Sequence, residues 1–182
     1  MEQLHLDRIT RLCEALESDK YAQTTGMLRF DDEHCCLGVA CDVMDPERWQ
    51  QVQRPITDQP AWLYLYEGIT PGMFDDYGKI TDQAAKNTDR LFGGKAGGDS
   101  TLPKDVYEWY GFNSDNPLVE VSCKCTSDCD GNFDEYSPDE DCQDCDGTGK
   151  VDVALTELND EWCLDFKQIA AAIRRTFLND AA

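Results

Sequence analysis

Histidine and positive charge are what this chain has least of. Only His5 and His34 occur in 182 residues, and 16 Lys and Arg stand against 37 Asp and Glu. Two isolated histidines rule out the histidine pair of metal hydrolases. The net charge of −21 creates a field that repels phosphate backbones, which disfavours direct nucleic-acid binding. No apolar run approaches the length of a membrane span. The opening MEQLHLDRIT lacks the basic start and apolar stretch of a secretory signal. From these absences we expect a soluble protein of the cytoplasm. A phosphate-binding loop is missing too: GGKAGG at residues 93–98 is glycine-rich but lacks Lys followed by Ser or Thr.

Cysteine, by contrast, is abundant, with ten in the chain. In a reducing compartment, cysteines clustered at short spacing are metal ligands more often than disulfides. Scattered ones act as small buried apolar residues. Both kinds are present, together with four Trp and seven Phe to anchor a core.

The apolar spacing places the elements. Leu4, Ile9, Leu12, Cys13 and Leu16 suit an amphipathic helix. A short strand is expected around Met27–Phe30. Asp31, Asp32 and Glu33 then stand where they would favour the N-terminus of a helix over residues 35–44. That helix is apolar nearly all round, so it belongs at the centre of a domain. Pro46 ends it. Residues 62–80 are aromatic and turn-rich, and residues 93–101 have the composition of a flexible loop. A short helix follows, with Pro103 in its first turn, Gly111 at its end, and Val106, Trp109 and Tyr110 facing inward. Val119 and Val121, and later Val151, Val153 and Leu155, alternate with polar residues as the two strands of one hairpin. Asn159-Asp160 reads as a turn placing the last helix. Asp165 and Gln168 match a variant capping box for that helix, which presents Phe166, Ile169, Ala170, Ile173 and Phe177 on one side. The expected class is α+β: a mainly helical domain over residues 1–117 and 155–182, with a small antiparallel sheet. Residues 118–154 form a hairpin carrying a zinc ribbon.

That ribbon rests on CKCTSDCDGNFDEYSPDEDCQDCDGTGK, residues 123–150. Cys142-x-x-Cys145 followed by Asp146-Gly147 has the form of a zinc knuckle, with Gly taking backbone angles other residues avoid. Cys125 and Cys129 are also followed by Asp-Gly, and their spacing stays within the range of structural zinc. Two such turns give four sulfurs for one structural Zn2+: Cys125, Cys129, Cys142 and Cys145. Cys123 either replaces Cys125 or faces inward from its strand. The segment is too acidic and too poor in aliphatic residues to order itself by burial. A structural zinc can supply about 10–16 kcal/mol of apparent binding energy. Weaker readings are an iron–sulfur cluster, a disulfide pair outside the cytosol, and a calcium loop on Asp128, Asp130, Asn132 and Asp134. The last has its Gly at the wrong position.

Two resemblances add to this reading. Cys142-Gln-Asp-Cys145-Asp-Gly147-Thr-Gly149 resembles the CxxCxGxG repeats of the cysteine-rich region of J-domain co-chaperones. That region builds zinc centres, so the likeness implies zinc. The His-Pro-Asp signature of the J-domain is absent, so chaperone function is not implied. Over most of the remaining chain, Tyr21-x-Gln23, Leu28-Arg29-Phe30, Cys35-Cys36-Leu37-Gly38-Val39-x-Cys41-Asp42, Leu102-Pro103, Trp109-x-Gly111, Asn116-Pro117, Leu155-x-x-Leu158-Asn159-Asp160 and Phe166-x-x-Ile169-Ala170 look like a family of small proteins encoded by bacteriophages and bacterial genomes. This resemblance implies a shared fold and a phage origin, with no reaction attached. It also implies that the cysteine segment is an insertion between Pro117 and Leu155.

The expected function is therefore binding. An acidic, zinc-containing protein would meet a basic surface on a host-encoded protein, either a defence protein or part of the nucleic-acid machinery, as a DNA mimic does. The alternative is a cysteine-dependent enzyme using Cys35 or Cys36, beside His34 and with Asp42 or Asp160 as orienting acid. Neighbours on a helix seldom point at one another, which weighs against it.

Overall fold

The computed structural model describes residues 1–53, 60–64, 101–126 and 141–178. Helix α1, Gln3–Glu17, is built on the three-and-four spacing of Ile9, Leu12, Cys13 and Leu16, all buried. Its buried stripe faces α5, Phe166–Ile173. There the Cys13 thiol donates to the carbonyl of Ala170 at 3.7 Å. One turn on, the Arg174 guanidinium forks onto the Glu17 carboxylate at 3.0 and 3.1 Å. The α5 N-terminus carries the expected capping box, with Asp165 accepting from the Gln168 N–H and the Gln168 side chain accepting from the Asp165 N–H. Phe177, in the π-turn Arg174–Leu178 that follows, packs at 5.0 Å against Phe112.

The α+β class holds, with α2, Cys36–Met44, at its centre. Residues 36 to 41 are all buried, including Gly38. Gly38 is there because Leu28, just before β2, leaves no room: a Cβ would sit 1.7 Å from the Leu28 carbonyl oxygen. The same oxygen accepts the Cys35 N–H at 3.1 Å. The acidic run expected to cap α2 does something else. Asp31 takes a left-handed turn (φ 49°), and Glu33–His34 forms a strand. No acid lies in the first turn of α2, and the Cys35 sulfur caps it by accepting from the Gly38 N–H at 3.4 Å. Pro46 opens a single 3-10 turn, Pro46–Arg48.

In place of one sheet, three small ones form among the described residues. Strands β1 (Ala22–Gln23), β2 (Arg29–Phe30) and β3 (Glu33–His34) pair in the order β1-β3-β2, the first pair parallel and the second antiparallel. Strands β4 (Trp49–Gln53) and β5 (Pro60–Tyr64) pair antiparallel, with Trp49 opposite Tyr64. Strands β6 (Leu118–Ser122) and β7 (Lys150–Ala154) form the expected hairpin, Val119 facing Val153 and Val121 facing Val151. Helix α3, Lys104–Tyr110, begins after Pro103 and stops at Gly111, whose φ of 75° closes it. Val106 and Tyr110 are buried, and the Tyr110 hydroxyl donates to the Ala40 carbonyl at 2.9 Å. Trp109 is only half-buried, with the Arg8 guanidinium over its ring at 4.3 Å.

Leu155 leaves the hairpin to begin α4, Leu155–Asp160, so Asn159 and Asp160 end a helix instead of forming a turn. Val119, Val121 and Val153 join the main core, which fixes the base of the hairpin against α5 and the π-turn. The chain's aromatic stretch beyond Tyr64 and its glycine-rich loop at 93–100 lie outside the described residues.

Candidate metal centre

The hairpin positions a cluster of four thiols. Strand β6 alternates inward and outward, so Cys123 continues the buried row of Val119 and Val121 and is itself buried. Its N–H donates to the Gly149 carbonyl at 2.7 Å, extending the β6–β7 ladder by one bond. The 3-10 turn Lys124–Thr126 then rotates the chain so that Cys125 faces the same side. In the turn that leads into β7, Asp146, Gly147 and Gly149 take left-handed backbone angles. The turn is held by the Thr148 N–H and hydroxyl, both donating to the Cys145 carbonyl at 2.9 and 2.6 Å.

The sulfurs of Cys123 and Cys142 lie 3.7 Å apart, and those of Cys125 and Cys145 lie 3.6 Å apart. All four ligand atoms fall within 4.8 Å of one another. These separations are too long for disulfides. They match the edge of a tetrahedron around a metal with thiolate bonds of about 2.3 Å, which is about 3.8 Å. Four cysteines thus stand close enough to hold a metal ion. Cys125, Cys142 and Cys145 were expected there; Cys129 lies outside the described residues.

The electrostatics differ from one thiol to the next. Burial pushes Cys123 up. Burial also acts to raise Cys145, but the backbone N–H of Gly149 and the neighbouring thiols Cys125, Cys142 and Cys123 outweigh it, bringing Cys145 down to about 7. A thiol that loses its proton near neutrality is prepared for a cation.

Cys13, Cys35, Cys36 and Cys41 serve packing. Cys13, Cys36 and Cys41 are buried and shifted upward, chiefly by burial for Cys13 and Cys41, with Cys13 raised to about 12. Cys35 and Cys36 form a buried pair. Cys36 is raised by donating to the Cys35 sulfur, and Cys35 is lowered by accepting from it. The Leu155 carbonyl, 3.4 Å away, is a second acceptor for the Cys36 thiol. Asp42 and Asp160, the acids expected to orient them, are engaged elsewhere. Asp42 accepts from the Tyr21 hydroxyl at 2.6 Å, and Asp160 accepts from the Gly26 N–H and from Asn159. His34 packs edge-on against Tyr21 and Trp49.

Residue reasoning missed Asn159. It is buried and bonded on every side, accepting from Gln23 at 3.0 Å and from the Cys36 N–H at 3.3 Å while donating to the Thr24 carbonyl at 2.8 Å. Its sequence signals are only its place in the motif Leu155-x-x-Leu158-Asn159-Asp160 and the turn expected there, neither of which points to a buried amide.

A family described as a domain of unknown function (DUF8296) matches residues 7–177. The chain belongs to this family. The DUF8296 span runs from α1 through the π-turn, so the four-cysteine hairpin lies inside it. No curated protein and no solved structure matches the chain. Among the described residues, no helix is long and apolar enough to cross a membrane.

Proposed function

We propose that the chain is a zinc protein of phage type that acts by protein–protein contact, occupying a basic surface on a host-encoded partner. The observation that carries this reading is the tetrathiolate geometry at the root of an acidic segment. Sulfurs at 3.6 and 3.7 Å suit one tetrahedral metal. An iron–sulfur cluster would place sulfides and several metals between its cysteines and hold them further apart. Zinc is therefore the preferred ion, and its role is structural, because four sulfurs leave no open position for a substrate.

Between Lys124 and Lys150 the chain has nine Asp and Glu and neither Lys nor Arg. Four thiolates on a dication add about two more negative charges at the base of that segment. Such a field speeds and orients the approach of a basic partner. A host defence or nucleic-acid-processing protein, whose basic surface normally meets phosphates, is the kind of target that suits it. The competing reading, an enzyme using Cys35 or Cys36, has only the lowered Cys35 thiol in its favour.

Native mass spectrometry before and after a strong chelator tests the metal. One zinc, lost together with the order of the hairpin, is expected; a metal-free native chain whose four hairpin thiols are open to alkylation sinks the reading. For the partner, affinity capture from bacterial extract should retain a basic protein that salt releases. Equal capture by Cys142→Ser would show that the hairpin is not the contact.

A further inference from the structure

One face of the β4–β5 hairpin carries a row of aromatic side chains whose polar atoms have no partner. Trp49 and Tyr64 face each other across the ladder, and Trp62 lies two residues from Tyr64 on the same face. Trp49 and Tyr64 meet edge-to-face at 5.0 Å, and His34 meets Trp49 in the same way at 5.8 Å. The Arg29 guanidinium lies over the Trp62 ring at 3.9 Å and over Trp49 at 5.5 Å. His34, Trp49 and Tyr64 are each more than nine-tenths buried. Yet the indole N–H groups of Trp49 and Trp62 and the Tyr64 hydroxyl are sealed from solvent with no hydrogen-bond partner.

Leaving such groups unpaired costs about 1–3 kcal/mol each. Several together would consume much of the 5–15 kcal/mol that stabilises an ordinary domain. The two indoles can only donate, so whatever pairs with them must accept. The nearby charges point the same way. Asp42 is taken by Tyr21 and Lys20, and Asp105 by Arg48, which lies over the Tyr64 ring. Arg29 donates through Nε to the Asp31 carbonyl at 2.8 Å, and a terminal nitrogen has a 4.0 Å approach to the fully exposed Asp32 carboxylate. A cation stacked on two unpaired indole donors, beside an imidazole, is the chemistry of oxyanion recognition. At the far end, the Asp105 Oδ1 is also unpartnered, and its negative charge would repel an anion placed there.

We infer that the Trp49–Trp62–His34–Arg29 cluster is a binding site for a small oxyanion, a carboxylate or a phosphate. It is independent of the metal centre.

The test follows the indole N–H resonances of the full-length chain, assigned by Trp49→Phe and Trp62→Phe, while acetate or inorganic phosphate is titrated in at constant ionic strength against chloride. Downfield, saturable movement of the Trp49 and Trp62 signals with one of the two anions is expected, and which anion does so separates carboxylate from phosphate. Arg29→Gln should weaken that anion about tenfold or more, the value of one charge-assisted bond. The proposal is overturned if both indole signals stay put with both anions, or if chloride moves them equally. It is also overturned if Arg29→Gln, with its fold verified by circular dichroism, binds as tightly as wild type.

Discussion

The side-chain carbonyl of Asn159 accepts the backbone N–H of Cys36, 123 residues earlier in the chain, at 3.3 Å. One buried amide therefore joins the end of α4 to the first turn of α2, and through Gln23 and Thr24 to the first strand. Removing it strands donors and acceptors in the core. Asn159→Leu is expected to destabilise the fold by about 2–4 kcal/mol. Urea unfolding measures this, and a loss of less than about 1 kcal/mol would mean that water takes over these bonds.

Gly38→Ala should be worse. The added methyl would meet the Leu28 carbonyl oxygen at 1.7 Å, a backbone atom that β2 and the Cys35 N–H both hold in place. A loss of at least about 3 kcal/mol is expected, seen as insoluble expression or a collapsed denaturant midpoint. A well-folded Ala variant would show that β2 can slide.

Alkaline pH should weaken the protein through its buried thiols. Cys13 ionises at about 12 in the fold against 9.0 ordinarily, and Cys41 is raised as well, both through burial. Between these values the unfolded chain releases protons that the folded one keeps. Stability is thus whole below about pH 9 and falls as pH rises toward 12, by up to about 1.4 kcal/mol per pH unit for each thiol. Denaturation midpoints at pH 8, 9 and 10 check the sign. Cys13→Ala should flatten the slope; an unchanged slope would assign the loss to other groups.

Alkylation should separate the cysteines into classes. Among the described residues Cys163 is the exposed one, so iodoacetamide should reach it first. Cys13, Cys35, Cys36 and Cys41 should resist until unfolding. The four hairpin thiols should become reactive only once a chelator has been added. Fast labelling of Cys35 in the native chain would instead revive the cysteine-enzyme reading.

What the sequence made legible was local. Period-two alternation located β6 and β7, and an unbroken apolar run placed α2 in the centre. The Asp165 and Gln168 pair marked the start of α5. The cysteine cluster was readable as a metal site because thiols at short spacing have few other uses in a reducing compartment. Its membership was harder to read. The same alternation that buries Val119 and Val121 brings in Cys123, but only the 3-10 turn after it shows that Cys125 swings to the same side. Asp31 to Glu33 misled because a left-handed Asp31 is decided by strand pairing, not by helix propensity. The stacking of Arg29 on Trp62 joins residues from different sheets, and nothing in local pattern announces it.

The packing of α1 against α5 sets a timetable for the ribosome. The thiol of Cys13 waits for the carbonyl of Ala170, and Glu17 for Arg174, each 157 residues later. The part of the first helix that meets α5 therefore leaves the exit tunnel uncovered and stays so until nearly the whole matched span has been translated. The four-cysteine hairpin, whose paired thiols lie about 20 residues apart in the chain, can close earlier. Cation capture by the nascent chain would then precede completion of the core, so a cell short of the metal would accumulate unfinished protein with that part of its first helix exposed.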